Sequence, residues 1–301
     1  VRAFGLVAAL ALIWGSGFFW IRLALDGLSP IQLTFTRLAL GAAALAVIVA
    51  VRRLPWPRGA RTWLHLTTSA LISNAIPYGL FAYAEQTVPS SLAGAFNATT
   101  PLWTAMIAFL VGTDRPMATR RVLGLVLGLV GALLVLSPWE VRGAGSGLGL
   151  AACVAASASY GLSYVYQARY LTNRGIPPLV LAAAQLAVAT VLLAVLLPVG
   201  GLQPMHLSGS VITAILVLGI VGSGLAYVIN FAIIADEGAV AASSVTYLVP
   251  VVAVTLGVAA LGEPITWSLP VGLVVVLAGV TLVRTQRRRS QARTLPKPPL
   301  L

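Results

Sequence analysis

The sequence predicts an all-α integral membrane protein: ten transmembrane helices, arranged as two five-helix repeats of inverted topology, with N and C termini cytoplasmic. Three observations predict it. Hydrophobic residues fill 59% of the 301 positions and charged residues only 9%, whereas a soluble domain is about a quarter charged. Charge-free runs of membrane-spanning length recur along the whole chain. Basic residues cluster on alternate connections between those runs.

Each span follows from a run and its boundary charges. The first, 3–24, is the stretch from Ala3 to Ile21 and closes near Asp26. It is not read as a cleaved leader, because no small-residue cleavage site ends it and nine more spans follow. The second, 31–51, starts after Pro30, stops at Arg52-Arg53, and carries one charge, Arg37. The third and fourth, 63–86 and 88–112, meet near Glu85 and end at Asp114. The fifth, 119–138, begins at a basic cluster, and the sixth, 147–169, ends at one. A single charge-free stretch from Gly175 to Ala235 holds the seventh and eighth, 178–199 and 208–235, divided by Pro198 and Pro204. The ninth and tenth, 239–262 and 266–284, flank Glu263-Pro264. A run of about 20 apolar residues crosses about 30 Å of hydrocarbon as a helix.

The formal charge of +12 invites a nucleic-acid reading, and its distribution argues against one. With the N-terminus inside, the cytoplasmic side holds Arg2, Arg52, Arg53, Arg58, Arg61, Arg115, Arg120, Arg121, Arg169, Arg174, Arg284, Arg287, Arg288, Arg289, Arg293 and Lys297. That is sixteen of the nineteen basic residues; Arg142 is the only one outside, and Arg22 and Arg37 lie in spans. This is the positive-inside pattern, and the basic tail, 285–301, reads as an orientation signal that contacts anionic membrane lipids. No nucleic-acid partner is expected. An intramembrane enzyme is not expected either: His65 and His206 fall towards opposite faces, and the only adjacent acids are Asp236-Glu237 at a loop. Neither a metal nor a cofactor is expected, and the single Cys153 makes no internal disulfide.

The two halves match. Pro101 stands thirteen residues before Asp114, as Pro250 does before Glu263, and the copies are 149 residues apart. The same offset lays Tyr78 on Tyr227. An offset of 148 lays "PIQLTFTRLAL" on "PLVLAAAQLAV", setting Arg37 opposite Gln185, and lays Gly124 and Gly131 on Gly272 and Gly279. One of 146 lays Trp14-Gly15 on Tyr160-Gly161. Five spans were duplicated, into 3–138 and 147–284. Because five is odd, the second copy enters the membrane from the other side.

These motifs resemble a known family. "WGSGFFWIRLAL" in the first span, the arginine of "TRLALGA" in the second, the "LGEP" that closes the ninth and "GLVVVLAGVTLV" in the tenth are similar to ten-helix, EamA-type members of the drug/metabolite transporter superfamily. The resemblance covers residues 3–284. Where the family has Gly-Glu at the end of span four this chain has Thr113-Asp114. The resemblance implies a multi-pass transporter of the bacterial inner membrane that exports small metabolites, amino acids first among them. Export of drugs, nucleosides or other metabolites is the alternative, and a receptor or scaffold without transport is the other class.

Inverted repeats place a substrate site near the midplane, between the halves, with alternating access around it. Candidate lining positions come from both copies: Trp14 and Phe18 in span one; Asn74, Tyr78 and Phe81 in span three; Asn97 and Pro101 in span four; Tyr160 and Tyr164 in span six; Tyr227 and Asn230 in span eight; Ser243, Tyr247 and Pro250 in span nine. Aromatic bodies with polar tips exclude water and orient a small ligand. The competing readings are plain packing for the tyrosines, interhelical bonding for Asn97, and close helix contact for the glycines of spans five and ten. Arg37 reads either as an outer gate or as a structural anchor whose head snorkels outward. Glu85 is the one acid on the face shared with Tyr78 and is the candidate for coupling; otherwise the acids sit at helix ends or in loops, and facilitated diffusion is expected.

Overall fold

The computed structural model describes residues 2–84, 87–88, 90–112, 119–137, 139, 146–199, 201–261 and 267–294. Those residues form ten membrane-spanning helical units and no strand. Asp114, Glu85 and Glu263 lie outside the described residues. Units α1 (Arg2–Leu25), α2 (Pro30–Val51), α5 (Thr119–Leu136), α6 (Gly147–Tyr170), α7 (Pro178–Ala194) and α10 (Ser268–Thr294) are unbroken. Unit α3 covers 60–84 with a π-helical turn at Leu71–Ala75, and α8 (Gly209–Glu237) has one at Val217–Leu225. Unit α4 is two helices, Ser90–Asn97 and Thr100–Leu110. Unit α9 runs Ala239–Ser243, a 3₁₀ turn at Ser244–Tyr247, then Leu248–Leu261.

The interruptions are themselves duplicated. Adding 149 to Leu71–Ala75 gives 220–224, inside the π turn of α8. In the latter the chain is rich in glycine, at Gly219, Gly222 and Gly224, which weakens the α-helical preference and lets an extra residue enter the turn. The breaks of α4 and α9 each precede a proline, Pro101 and Pro250, whose missing N–H removes the helical bond one turn back. Two ends differ from the sequence-based boundaries by more than three residues. Unit α7 stops at Ala194 and continues as a short 3₁₀ turn, Leu197–Val199, around Pro198. Unit α10 runs on to Thr294, because arginine and glutamine are good helix formers and no proline intervenes before Pro296.

Packing follows the duplication. Units α5 and α10 pair with each other, as do α2 and α7, while α2 lies on the π turn of α8 and α7 lies on that of α3. Likewise α1 packs on α8 and α9, and α6 on α3 and α4. The α5–α10 contact is backbone to backbone. A methyl added to Gly279 would fall 2.4 Å from Gly128 N and 2.7 Å from Gly124 O. Small residues thus let two helices approach as closely as their main chains allow.

A capping box starts α2: Ser29 Oγ accepts from Gln32 N, and Gln32 Oε1 accepts from Ser29 N. The same amide donates through Nε2 to Gly201 O and Gln203 O, tying the α1–α2 turn to the α7–α8 connection across the two repeats. Apolar side chains such as Leu12, Val47, Leu64, Leu110, Val191 and Val274 are exposed around the bundle. On a soluble protein such a surface would aggregate; here it is the lipid face.

Candidate functional site

The bundle surrounds a partly open cavity of about 160 Å³. Its wall is built in pairs. Trp14, Gly17 and Ile21 of α1 correspond, 146 residues on, to Tyr160, Ser163 and Gln167 of α6, and all six line it. At an offset of 149, Ser73 and Tyr78 of α3 correspond to Gly222 and Tyr227 of α8, and Asn97 of α4 to Thr246 of α9. Arg37, Tyr164, Asn230, Ile13 and Val249 complete the lining. The π turns and the proline-linked breaks therefore sit at the cavity wall in both copies, where irregular backbone in a membrane is tolerated because it borders a cavity.

One end of the site is a buried hydrogen-bonded layer spanning α3, α6, α7 and α8. Gln185 is at its centre and fully buried. Its Oε1 accepts from Ser69 Oγ at 2.6 Å and from Gln167 Nε2 at 3.4 Å; its Nε2 donates to Ser73 Oγ at 2.8 Å and Asn74 Oδ1 at 3.1 Å. Asn74 then donates through Nδ2 to Tyr227 Oη at 2.6 Å. At the matched place in the other copy stands Arg37. Its Nε donates to Ser223 Oγ at 3.1 Å, and its guanidinium lies over the Tyr78 ring, 5.8 Å from the centroid. Ser223 is the counterpart of Asn74, so each second helix of a repeat bonds the π turn of the opposite repeat. The two are unequal: Leu218, Ile21 and Gly222 stand where the first layer has Ser69, Gln167 and Ser73.

Of the sequence-predicted residues, Trp14, Tyr78, Asn97, Tyr160, Tyr164, Tyr227, Asn230 and Arg37 meet at the cavity. Asn74 lies directly behind the wall and holds Tyr227. Phe81 stacks on Tyr160 with centroids 6.1 Å apart and packs outward against Ala84, Val88 and Cys153. Pro101 and Pro250 are buried at the helix breaks. Ser243 is buried and donates to Val240 O. Tyr247 is turned to α5, where its ring meets Gly128 and its Oη donates to Leu125 O at 3.0 Å. For Tyr247 the cause is local: a 3₁₀ turn advances 120° per residue where an α-helix advances 100°, so across Ser244–Tyr247 the ring swings away and Thr246 faces the cavity. The Phe18 side chain and Glu85 lie outside the described residues. Ser73, Ser163, Gln167, Ile13, Gly17, Ile21, Gly222 and Val249 line the cavity and were missed; Thr246, whose carbonyl Pro250 leaves free one turn back, lines it too. One signal was present: the repeat offset carries Asn97 onto Thr246.

Ten membrane helices in two matched halves, with a polar and aromatic cavity between them, define the class: a multi-pass membrane transporter. The chain belongs to the EamA-like transporter family, whose model matches it twice, over residues 2–137 and 147–285. That family consists of transporters and not enzymes. Similar proteins include the uncharacterized inner membrane transporter YedA of Escherichia coli (strain K12), 30% identical over 286 residues, 93% of this chain and 90% of that one. The uncharacterized transporter YvbV of Bacillus subtilis (strain 168) is 25% identical over 291 residues, 96% and 94% of the two chains. A solved crystal structure superposes with a TM-score of 0.77 at 19% identity, covering 96% of this chain and 99% of the other, which shows the shared fold.

Proposed function

We propose that the protein exports small metabolites, amino acids first among them, from the bacterial cytoplasm by alternating access at the cavity between its repeats. The observation that carries this reading is the paired wall: matched residues of both halves face one space, so rocking one half against the other changes access to it. Its size supports small cargo. An apolar cavity of about 150 Å³ holds a benzene-sized ring, drug-sized ligands occupy roughly 300–1,000 Å³, and the open side of this cavity leaves room for polar groups that such a ring carries. Residues 3–138 and 147–284 are the two moving units in this reading. The inner membrane, named as the location of its relative YedA, is the compartment we assign, with both termini cytoplasmic as the arginine distribution supports.

Orientation is checked by cysteine labelling with an impermeant maleimide. Arg58→Cys and Arg120→Cys are expected to react only from the cytoplasm, and Gln203→Cys only from outside; the reverse pattern overturns the assignment.

Among the described residues no aspartate, glutamate or histidine lines the cavity, which supports facilitated diffusion over proton coupling. In proteoliposomes, labelled amino acids should equilibrate down their gradient, and an imposed pH gradient alone should drive no accumulation. Asn97→Ala and Tyr78→Ala should each slow flux about tenfold with folded protein retained, an effect of the size one lost polar contact produces. Wild-type flux in both variants removes them from the substrate path. Uphill uptake abolished by Glu85→Gln makes that acid the proton carrier.

A further inference from the structure

The cavity contains unspent hydrogen-bonding capacity of opposite kinds at its two poles. At one, Arg37 presents a permanent cation with five N–H donors. Among the described residues its only hydrogen-bond partner is Ser223, and no carboxylate is paired with it. A cation at membrane depth without a counter-charge is costly and calls for an anion. At the other pole, Gln167 Oε1 and Asn230 Oδ1 are buried acceptors without a donor, and both residues line the cavity. Gln167 is already oriented, because its Nε2 is committed to Ser69 Oγ at 3.1 Å, which turns the free oxygen towards what remains of its surroundings.

The repeat shows that these are separate poles. The symmetry that exchanges the halves lays Arg37 on Gln185, and Gln167 bonds Gln185 directly. Along α8, Ser223 beside Arg37 and Asn230 are seven residues apart, about 10 Å by helical rise. The rings of Tyr78, Tyr227, Tyr160 and Trp14 line the same cavity, Trp14 edge-on to Tyr227 with centroids 6.4 Å apart.

We propose that the site takes a bipolar ligand: a carboxylate on Arg37, a hydrogen-bond-donating group reaching Gln167 and Asn230, and a flat apolar body between them at the aromatic waist. This deepens the transport reading and rests on it. The adjacent carboxylate and ammonium of an α-amino acid do not span the two poles, so the second group lies on the side chain. Arg37 selects the anion because a guanidinium matches a carboxylate in two parallel bonds. The Gln167 oxygen, fixed by the Nε2 bond to Ser69, accepts from hydroxyl or N–H alike, so that pole selects for a donor and not for a charge.

The test is binding to purified full-length protein in nanodiscs, followed by titration calorimetry with four probes. Tyrosine and 4-hydroxyphenylacetate carry both groups, phenylalanine lacks the distal donor, and tyramine lacks the carboxylate. Tyrosine and 4-hydroxyphenylacetate should bind roughly tenfold or more tightly than phenylalanine and tyramine. Arg37→Gln, which installs the residue of the matched position, should erase the preference for tyrosine over tyramine. Should that variant fail to fold, Arg37→Lys is expected to weaken the preference while keeping part of it. Gln167→Leu should remove the preference for tyrosine over phenylalanine and leave that over tyramine. Equal binding of tyrosine and tyramine, a preference unchanged in Arg37→Gln, or no binding of any of the four overturns the inference. Binding of 4-hydroxyphenylacetate without tyrosine supports it and defeats the amino-acid reading. Amino-acid binding that ignores Arg37 does the opposite.

Discussion

Gly279→Leu is expected to leave no folded protein in detergent, while Gly79→Leu leaves the melting profile and elution of the wild type. At Gly279 a first side-chain carbon already meets Gly128 N, Gly124 O and Gly128 Cα within 2.8 Å, all backbone atoms. Overpacking costs about 1–3 kcal/mol where neighbouring side chains can shift. Here nothing shifts without separating α5 from α10, so even Gly279→Ala should cost about 3 kcal/mol or more. Gly79 faces open space and serves as the control. The two helices are matched elements of the repeats and pack mostly on each other, so parting them also loosens the contact of α9 with both. A Gly279→Leu protein that melts with the wild type would show that the helices do not touch as described.

Gln185→Leu is expected to lower stability by about 2–3 kcal/mol, read by thermal unfolding in nanodiscs. The amide makes four side-chain hydrogen bonds, to Ser69, Gln167, Ser73 and Asn74. Interhelical bonds in membranes average about 0.6 kcal/mol, with a maximum near 1.7, and the change also leaves buried partners unsatisfied. Asn74→Ala in the same background should add less than it costs alone, because Asn74 Oδ1 has already lost one of its donors. Strict additivity of the two substitutions would show that they are not one network. The comparison with Arg37 explains why this layer is the stronger one. Where the Gln185 side has several hydroxyls and amides in mutual contact, the Arg37 side has one serine, an aromatic face and three apolar or small residues.

Much of the fold was legible because the bilayer imposes a simple rule on the chain. Spans announce themselves as charge-free runs of a set length, and prolines and arginines divide them. Duplication was legible as Tyr78 on Tyr227 and Pro101 on Pro250, and from it came most of the cavity's aromatic residues. What it did not carry is a local change of helical pitch. Tyr247 was expected on the cavity among the lining positions of the second copy, and the 3₁₀ turn at Ser244–Tyr247 gave that place to Thr246. Gln167 and Ser73 were passed over because a glutamine or a serine in an apolar span has no signature that tells a packing partner from a cavity wall.

By itself the sequence determined the membrane as solvent, the ten spans, the duplication into two halves and the pairing of Arg37 with Gln185. These depend on composition and on order along the chain, which are local or periodic. Only the tertiary structure decided that, among the described residues, Gln185 is saturated by four hydrogen-bond partners while Arg37 has one, and that oxygens of Gln167 and Asn230, which line the same cavity, have none. The reason is that hydrogen-bond satisfaction in a membrane interior is settled between helices far apart in the chain, by distances of a few tenths of an ångström, and no spacing within one helix encodes them.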